Sequence, residues 1–452
     1  MQPRKQLSLF DLSMIVVSLV IGMGIFRTPV NVAKAAQVPE LFFLAWIVGG
    51  FIALCGALSY AEIGSRFPVT GGYYKIFSEF YHPSIAFAIN CIIVVSNAGS
   101  VAGVSIIGAE YFSKVILPVE MQTETFRIAI ATVTIVLFYF LNLLGLRVSS
   151  KAQNVLSIIK MGMVLTLIGA VFFSTSTETL VPTFKTSTGL APSWVDYGKA
   201  LGVCLIAISF TFGGYQQTIN FGGEIKNAKK ILPKGIIIGL AIIITLYLAI
   251  NYAYVKVIGF EQLKSAQSIA AILAGKIFGP MGFTLLSGLI YLSVLGYVNV
   301  NLLSNPRAMY AMGEERALPA IFTRKSRKTN VMYVSLTVFA LVAILTLFYA
   351  QTFDKILNYT IFLDCIGMAT SVGTIFFLRK RTANVDKNTI FTMKLYPLLP
   401  LLFIGAYLFV AISIYNDDPE AATNGLLIFA GFIIIYFINK LVNNRKDTTS
   451  RQ

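Results

Sequence analysis

Long apolar segments alternate with short polar stretches along almost the whole chain. Twelve such segments can be recognised, at about residues 9–36, 41–65, 83–113, 126–146, 150–174, 196–222, 232–257, 279–312, 331–350, 354–380, 395–415 and 424–443. Most reach the roughly 20 apolar residues that a helix needs to cross a bilayer, whereas a membrane barrel would show shorter, alternating segments. The pattern predicts an all-α integral membrane protein with twelve transmembrane helices, and a short amphipathic surface helix between Phe260 and Lys276.

The composition supports this interpretation. Of the 452 residues, 56% are hydrophobic and only 12% are charged. An average soluble protein carries roughly 25% charged residues, so the charged fraction of this chain is about half the usual one. An ordinary soluble domain, a disordered chain and a fibrous repeat are therefore excluded.

The charged residues predict the orientation in the membrane. The chain carries 36 lysines and arginines against 20 acids, a net charge of +16. Cytoplasmic loops are rich in Lys and Arg, and with the N-terminus inside, the inside loops collect the basic clusters at 226–234, 324–328 and 379–381. Both termini are then cytoplasmic. Because the basic residues are spread over many loops rather than one solvated domain, nucleic-acid binding is not expected.

Residues that carry catalytic or metal chemistry are scarce. His82 is the single histidine, and the four cysteines lie in different apolar segments: Cys55, Cys91, Cys204 and Cys365. No spacing is typical of a metal site or a disulfide framework. The sequence therefore predicts no metal, no cofactor and no enzymatic activity.

Glycines interrupt two of the apolar segments. The first segment carries Ile21-Gly22-Met23-Gly24-Ile25-Phe26, and the sixth carries Phe210-Thr211-Phe212-Gly213-Gly214-Tyr215. Interruptions at corresponding positions of two halves point to a transporter binding site near the bilayer midplane. The alternative is that these glycines only permit close helix packing, as they often do in membranes.

A broken helix would offer the substrate two backbone poles. Amide groups at the start of a half-helix attract an anion, and carbonyl groups at the end of the preceding half-helix attract a cation. A free amino acid, with its carboxylate beside its ammonium, fits such a pair. The amides of Met23, Gly24 and Ile25 are the candidates for the carboxylate, and the carbonyls near Ile21 and Phe210 are the candidates for the ammonium.

Lys160 is the second feature with a chemical implication. It lies ten residues after Ser150 in the fifth segment, about 15 Å into the membrane. An ionisable residue at that depth is a functional candidate by default. Three interpretations stay open: a lysine satisfied by carbonyls for structure alone, a proton-coupling residue, or a permanent internal cation.

Four motifs occur in order along the chain. They are residues 21–26 followed by Thr28-Pro29, residues 56–64 (GALSYAEIG), Pro68 with Gly71-Gly72-Tyr73, and residues 210–215 followed by Glu224, Asn227 and Pro233. In this order and spacing the chain resembles the amino acid–polyamine–organocation (APC) transporter superfamily. It is most similar to the L-type amino acid transporter (LAT) branch, and the resemblance covers nearly the whole chain.

The resemblance implies the LeuT-type fold, a five-plus-five inverted repeat at 9–174 and 196–380 with two peripheral helices at 395–443. It implies sodium-independent amino acid transport by alternating access. Phe210 would be the aromatic gate, Lys160 would replace a sodium ion, and Tyr247 would lie near the same site. Gly22, Gly213 and Gln216 would complete the substrate site. Met23 and Gln216 depart from the branch, which more often has serine and asparagine there.

The resemblance also bears on location and partners. The loop at 114–127 contains no cysteine, so a disulfide-linked heavy chain is not expected, and short loops suit a bacterial inner-membrane protein.

The predicted function is transport of neutral amino acids, by exchange or proton-coupled symport, with uniport a third option. No acid lies beside either break, and Asp364 and Glu110 are the nearest candidates in sequence. The alternatives are a carrier of cationic amino acids or amines, and an amino acid sensor without transport. Glu224 and Arg307 are candidates for an ion pair at a cytoplasmic gate, or for solvated loop charges.

Overall fold

The structure is a computed structural model that describes residues 7–173, 193–266, 269–348, 350–386 and 388–449. Helices account for the regular structure in these ranges, and two isolated β-bridges join Leu7 to Ile225 and Thr70 to Phe221. The helices are α1 (Leu9–Val20), α2 (Thr28–Ala36), α3 (Pro39–Arg66), α4 (Gly72–Phe80), α5 (Pro83–Ile116), α6 (Glu124–Leu143), α7 (Leu146–Gly169), α8 (Trp194–Phe212), α9 (Ala228–Ile258), α10 (Phe260–Ser265), α11 (Ile269–Phe278), α12 (Gly282–Glu314), α13 (Tyr333–Leu347), α14 (Ala350–Arg381), α15 (Leu398–Asp417) and α16 (Pro419–Thr449).

Ten helical stretches in the described ranges are long and apolar enough to cross a membrane. They are α3, α5, α6, α7, Trp194–Asn220, α9, α12, Ile361–Arg381, α15 and Pro419–Lys440. Two shorter apolar helices, α1 and α13, fall in the first and ninth predicted segments. The prediction of an all-α membrane protein is therefore confirmed, and each predicted segment contains one of these helices. The number of twelve spans stays a prediction.

Both predicted interruptions are present as breaks in helical structure. After α1 ends at Val20, one 3₁₀ turn at Gly24–Phe26 precedes α2, where Pro29 lies in the first turn and costs no hydrogen bond. After α8 ends at Phe212, the chain continues as 3₁₀ helices at Tyr215–Asn220 and Gly222–Glu224. The sixth segment, predicted at 196–222 with an interruption at 210–215, is thus α-helical only in its first part.

Two other differences from the sequence-based boundaries have local causes. Gly145 has φ +109°, a left-handed conformation that ends α6 at Leu143 and lets α7 begin at Leu146. The boundary between the fourth and fifth segments, predicted at 146–150, therefore lies at 143–146. Residue 174, the predicted end of the fifth segment, lies outside the described residues. The amphipathic helix α4 was not predicted, and the predicted surface helix at 260–276 is two helices, α10 and α11.

A buried carboxylate connects three parts of the fold. Glu62 of α3 is fully buried and accepts hydrogen bonds from Arg66, from both Nε and Nη2 of Arg379, and from the Met393 amide, at 2.7–2.9 Å. These four donors compensate the carboxylate for the loss of water. The cluster fixes α14 and the segment before α15 against α3.

Replacing Glu62 tests the importance of this cluster. Glu62→Ala leaves the guanidinium groups of Arg66 and Arg379 without their buried partner, so we expect stability to fall by about 3–5 kcal/mol. The measurement is the thermal unfolding of the purified protein in detergent. Glu261→Ala is the control, because Glu261 pairs with Lys264 where both side chains are partly exposed, and we expect a loss below about 1 kcal/mol. Equal unfolding curves for the two variants would contradict this account.

Candidate functional site

A cavity of about 410 Å³ lies between the two broken helices. Gly22, Met23 and Gly24 line it from the first break, and Phe210, Gly213, Gly214 and Gln216 line it from the second. The remaining wall includes Ser96, Asn97 and Ser100 of α5, Asn301 of α12 and Asp364 of α14. The cavity thus brings together most of the residues predicted for substrate binding. Ile21 and Ile25 are fully buried and are not among the residues that line it.

The first break leaves backbone amides without partners. The amides of Gly22, Phe26 and Arg27 donate to nearby carbonyls at 2.8–3.1 Å. The amides in between, at 23–25, find no acceptor among the described residues. These are the three amides that the sequence analysis assigns to a carboxylate. Free amides at the start of a helical turn, beside a cavity, favour an anion.

Lys160 satisfies the carbonyl at the end of α1. Its Nζ donates to the Ile21 carbonyl at 2.6 Å, and the lysine is fully buried. A cation at the C-terminal end of a half-helix also complements the helix dipole. The Ile21 carbonyl, one of those near Ile21 that the sequence analysis assigns to the substrate ammonium, therefore already accepts one hydrogen bond, from Lys160. The lysine lies behind the break and does not line the cavity.

The helix that carries Lys160 holds α1 along its length. Ser157 is hydrogen-bonded to the Ser18 hydroxyl at 2.7 Å and donates to the Met14 carbonyl at 3.1 Å. Asn154 donates to the Asp11 carboxylate at 2.6 Å. Contacts spaced along α7 thus fix the position of α1.

Tyr247 connects the two breaks. Its hydroxyl lies 3.1 Å from the Val20 carbonyl and 3.4 Å from the Thr211 carbonyl, so its single proton is shared between the two broken helices. The tyrosine is fully buried, and its ring packs on Phe212 and Trp46. Tyr247 was predicted near this site, and the structure gives it a bridging position.

The second break depends on Gly214 and Gln216. The Gly214 amide donates to the Gln216 side-chain oxygen at 2.8 Å, so Gln216 closes the turn with its own side chain. Gly214 has φ +114°, and a Cβ atom there would lie 2.5 Å from the Leu19 carbonyl oxygen. Phe210, the predicted gate, has 46% of its surface exposed and lines the cavity.

Polar and charged side chains that follow the second break in the chain pair with residues of α5 and α12. Arg307 pairs with Glu224 at 2.7 Å, and its guanidinium lies 4.3 Å from the centre of the Phe221 ring. The two charges, open in the sequence analysis between an ion pair and solvated groups, are therefore an ion pair. Gln217 donates to Asn97 at 3.3 Å, and Asn97 donates to Asn305 at 2.8 Å.

The sequence analysis missed most of these amide contacts. Asn97, Gln217 and Asn305 belong to three different parts of the chain, and no sequence spacing connects them. The only signal was that each is an amide within an apolar segment. Of the two acids considered, Asp364 lines the cavity, whereas Glu110 pairs with Lys114 on a partly exposed helix face.

Comparison with known proteins gives consistent matches over almost the full length. A model of the amino acid permease family matches residues 7–438. The chain is 26% identical to the serine/threonine exchanger SteT of Bacillus subtilis (strain 168), over 97% of each chain. It is 23% identical to the human large neutral amino acids transporter small subunit 2, over 96% of this chain and 80% of the relative. It is 25% identical to the human cystine/glutamate transporter, over 97% of this chain and 85% of the relative.

Replacing Gly214 tests the geometry of the second break. Gly214→Ala forces a side chain into a left-handed conformation and against the Leu19 carbonyl. We therefore expect the free energy of unfolding to fall by about 1–3 kcal/mol. The matched control is Gly162→Ala in α7, where nothing lies within 4 Å of the new Cβ atom and stability should hold or rise. Thermal unfolding in detergent measures both. A Gly214→Ala protein as stable as the control would show that this break has a different geometry.

Proposed function

Because this chain belongs to the amino acid permease family, we propose that its cavity binds one free amino acid between the two helix breaks. The protein then carries this amino acid across the membrane by alternating access. The observation that supports this is the row of unpartnered amides at 23–25 beside a cavity that residues of both breaks line.

The substrate carboxylate would bind these amides, and the substrate ammonium would bind carbonyls of the second break. The carbonyls of Val20, Ile21 and Phe210 each already accept a hydrogen bond, from Tyr247, Lys160 and the Gly213 amide, and a carbonyl oxygen has a second lone pair that can accept from the ammonium. A zwitterion needs no charged side chain at either pole.

Sodium independence follows from the position of Lys160. A carbonyl at the end of a half-helix in the membrane is a place where transporters hold a cation. Here the Lys160 ammonium donates to that carbonyl at 2.6 Å, so a cationic group belonging to the protein fills the position.

Neutral substrates are supported by the charge of the cavity wall. The described lining residues include one base, Arg27, and one acid, Asp364. Their charges sum to zero, so a zwitterion with an uncharged side chain leaves the loaded cavity neutral. A cationic side chain could pair with Asp364, but the loaded cavity would then carry a net positive charge in a region of low dielectric, and an anionic side chain would leave it net negative.

Exchange is the mode that the position of Lys160 favours. The lysine is fully buried and is not among the residues that line the cavity, so we assign it a fixed charge and not a proton that moves with the substrate. The Bacillus subtilis relative is named as a serine/threonine exchanger, and its mode of transport agrees with this proposal. Proton-coupled symport is the second candidate.

The location follows from the loops and from the family. We place the protein in the plasma membrane, a bacterial inner membrane, with both termini cytoplasmic. With this orientation the Arg307–Glu224 pair lies on the cytoplasmic side. The protein would act without a disulfide-linked heavy chain, because the 114–127 loop has no cysteine.

The test is uptake of labelled serine into proteoliposomes in sodium-free buffer. We expect uptake to rise about tenfold or more when the liposomes are preloaded with unlabelled serine, with no further gain from sodium or from an inward proton gradient. Proton-driven accumulation in empty liposomes would support symport instead. Binding without flux would support a sensor, and strict sodium dependence would contradict the proposal.

Replacing Lys160 tests most directly whether its ammonium is needed for transport. Lys160→Met removes the donor to the Ile21 carbonyl, and loss of a hydrogen bond from a charged group costs about 1.5–3 kcal/mol. We therefore expect exchange to fall by about tenfold to 100-fold. Lys151→Met, an exposed lysine of the same helix, is the control and should exchange like the wild type. Unimpaired exchange by Lys160→Met would exclude a role for the ammonium.

A further inference from the structure

Helix α7 packs against both α1 and α12, and the polar contacts on its two sides are of different kinds. On the α12 side they are made by side-chain amides, and on the α1 side, near the middle of α7, by the hydroxyls of Ser18 and Ser157. Both serines are fully buried, and neither lines the cavity. The transport mechanism above assigns them no role of their own.

The amide contacts on the α12 side join three helices. Asn299 of α12 donates to the side-chain oxygen of Gln153 at 2.7 Å and to the Ser149 carbonyl at 3.1 Å. Asn142 of α6 donates to the side-chain oxygen of Asn299 at 2.9 Å. Moving α7 away from α12 would leave the Gln153 oxygen without a donor and the Asn299 amide without an acceptor in the bilayer. That costs more than an ordinary hydrogen bond contributes.

Close packing of the two backbones strengthens the same contact. Gly296 lies one turn before Asn299 on α12, and a Cβ atom there would lie 3.3 Å from the Cβ atom of Leu156. Together with the amides, this packing holds α7 and α12 as one unit.

The serine contact has an alternative that the amide contacts lack. The Ser157 hydroxyl lies 2.7 Å from the Ser18 hydroxyl, 3.1 Å from the Met14 carbonyl and 2.7 Å from the Gln153 carbonyl of its own helix. It has one proton, so it donates to one of these at a time. Met14 precedes Ser18 by four residues, and Gln153 precedes Ser157 by four. At this spacing a helical serine can donate to its own backbone.

Another serine of α1 already makes such an own-helix bond. Ser13 is buried and donates to the Leu9 carbonyl, four residues before it, at 3.1 Å. Ser18 and Ser157 can do the same when the two helices separate, and neither hydroxyl is then left unpaired.

The other hydrogen bonds between α1 and α7 also permit separation. Asp11 accepts from Asn154 at 2.6 Å, but it is partly exposed and also accepts from the amide and the hydroxyl of Ser8. Lys160 donates to the Ile21 carbonyl just beyond the end of α1. Its long side chain can keep this bond while α1 turns about that end.

We propose that Ser18 and Ser157 form a reversible latch that positions α1 against α7 and releases it in each transport cycle. On release, each hydroxyl turns from the facing helix to the carbonyl four residues before it, while α7 stays attached to α12 by the amides. This inference rests on the proposed function, because alternating access requires helices to separate, and it identifies the surface at which they do so.

A static contact is the competing explanation. In that case α1 and α7 would move as one unit, and the two serines would serve packing alone. A covalent bond between them would then leave transport intact, whereas a latch that cannot open stops the cycle.

A disulfide in place of the latch separates the two explanations. Hydroxyls that are 2.7 Å apart belong to side chains near enough for a disulfide, so a protein with both Ser18→Cys and Ser157→Cys should cross-link under an oxidant. We expect exchange of labelled serine in proteoliposomes to be lost on oxidation and to return with a reductant. The wild type, with its native cysteines, receives the same treatment and should keep its exchange throughout.

A second disulfide tests the other side of α7. Leu156→Cys together with Gly296→Cys brings two Cβ atoms to 3.3 Å, near the range of a disulfide. We expect this protein to exchange as well when oxidised as when reduced. If the protein with cysteines at 18 and 157 is inactive even when reduced, Asp11→Cys with Asn154→Cys joins the same two helices in its place.

Substitutions of equal shape test the hydroxyl itself. Ser157→Thr keeps a hydroxyl, whereas Ser157→Val has a methyl group in its place and leaves the side-chain amide of Gln153, which now donates to Ser157, without that acceptor. We expect kcat/KM for exchange to be about twofold to tenfold higher for Ser157→Thr than for Ser157→Val. Ser13→Thr and Ser13→Val are the matched controls and should exchange alike, because the Ser13 hydroxyl donates within α1.

Three results would overturn the inference. These are undiminished exchange by the protein cross-linked between α1 and α7, equal loss of exchange in both cross-linked proteins, and equal exchange by the two Ser157 variants. Failure of the untreated wild type to exchange any amino acid would overturn the proposed function instead.

Discussion

The hydrogen bond from Lys160 to the Ile21 carbonyl is the interaction on which the rest of the site depends. Breaking a helix inside a membrane exposes carbonyls and amides that hydrocarbon cannot satisfy. Here the carbonyl side of the break is satisfied by Lys160 and Tyr247. The amides at 23–25 have no acceptor among the described residues, and Met23 and Gly24 line the cavity. Under the proposed function these amides bind the substrate carboxylate.

This arrangement explains how the two broken helices can share one ligand. The first is held by α7 through Ser157 and Lys160, and the second is closed by the contact between Gly214 and Gln216. Tyr247 is the direct bridge between their carbonyls. A ligand bound at both breaks would add a further bridge to those made by Tyr247 and by the hydrogen bond from Thr211 to Thr28, and its binding would therefore depend on the relative position of the two helices. That dependence is what alternating access requires.

The sequence predicted the breaks and the lysine for clear physical reasons. Glycine pairs inside apolar segments mark places where helical structure is weak, and the depth of Lys160 follows from helical rise alone. The hydrogen-bond partner of Lys160 could not be predicted, because the Ile21 carbonyl is 139 residues from Lys160 in the chain. For the same reason the sequence left Glu224 and Arg307 undecided, although they form an ion pair. The 3₁₀ form of the second break depends on backbone contacts that no local pattern encodes.

The structure of the protein with a bound amino acid, determined by electron cryomicroscopy, tests the central claim most directly. The account predicts the substrate carboxylate within hydrogen-bond distance of the amides of Met23, Gly24 and Ile25, with Lys160 still donating to the Ile21 carbonyl. An amino acid bound elsewhere in the cavity, with these amides still free, would contradict it. A Lys160 ammonium in direct contact with the substrate would contradict it as well.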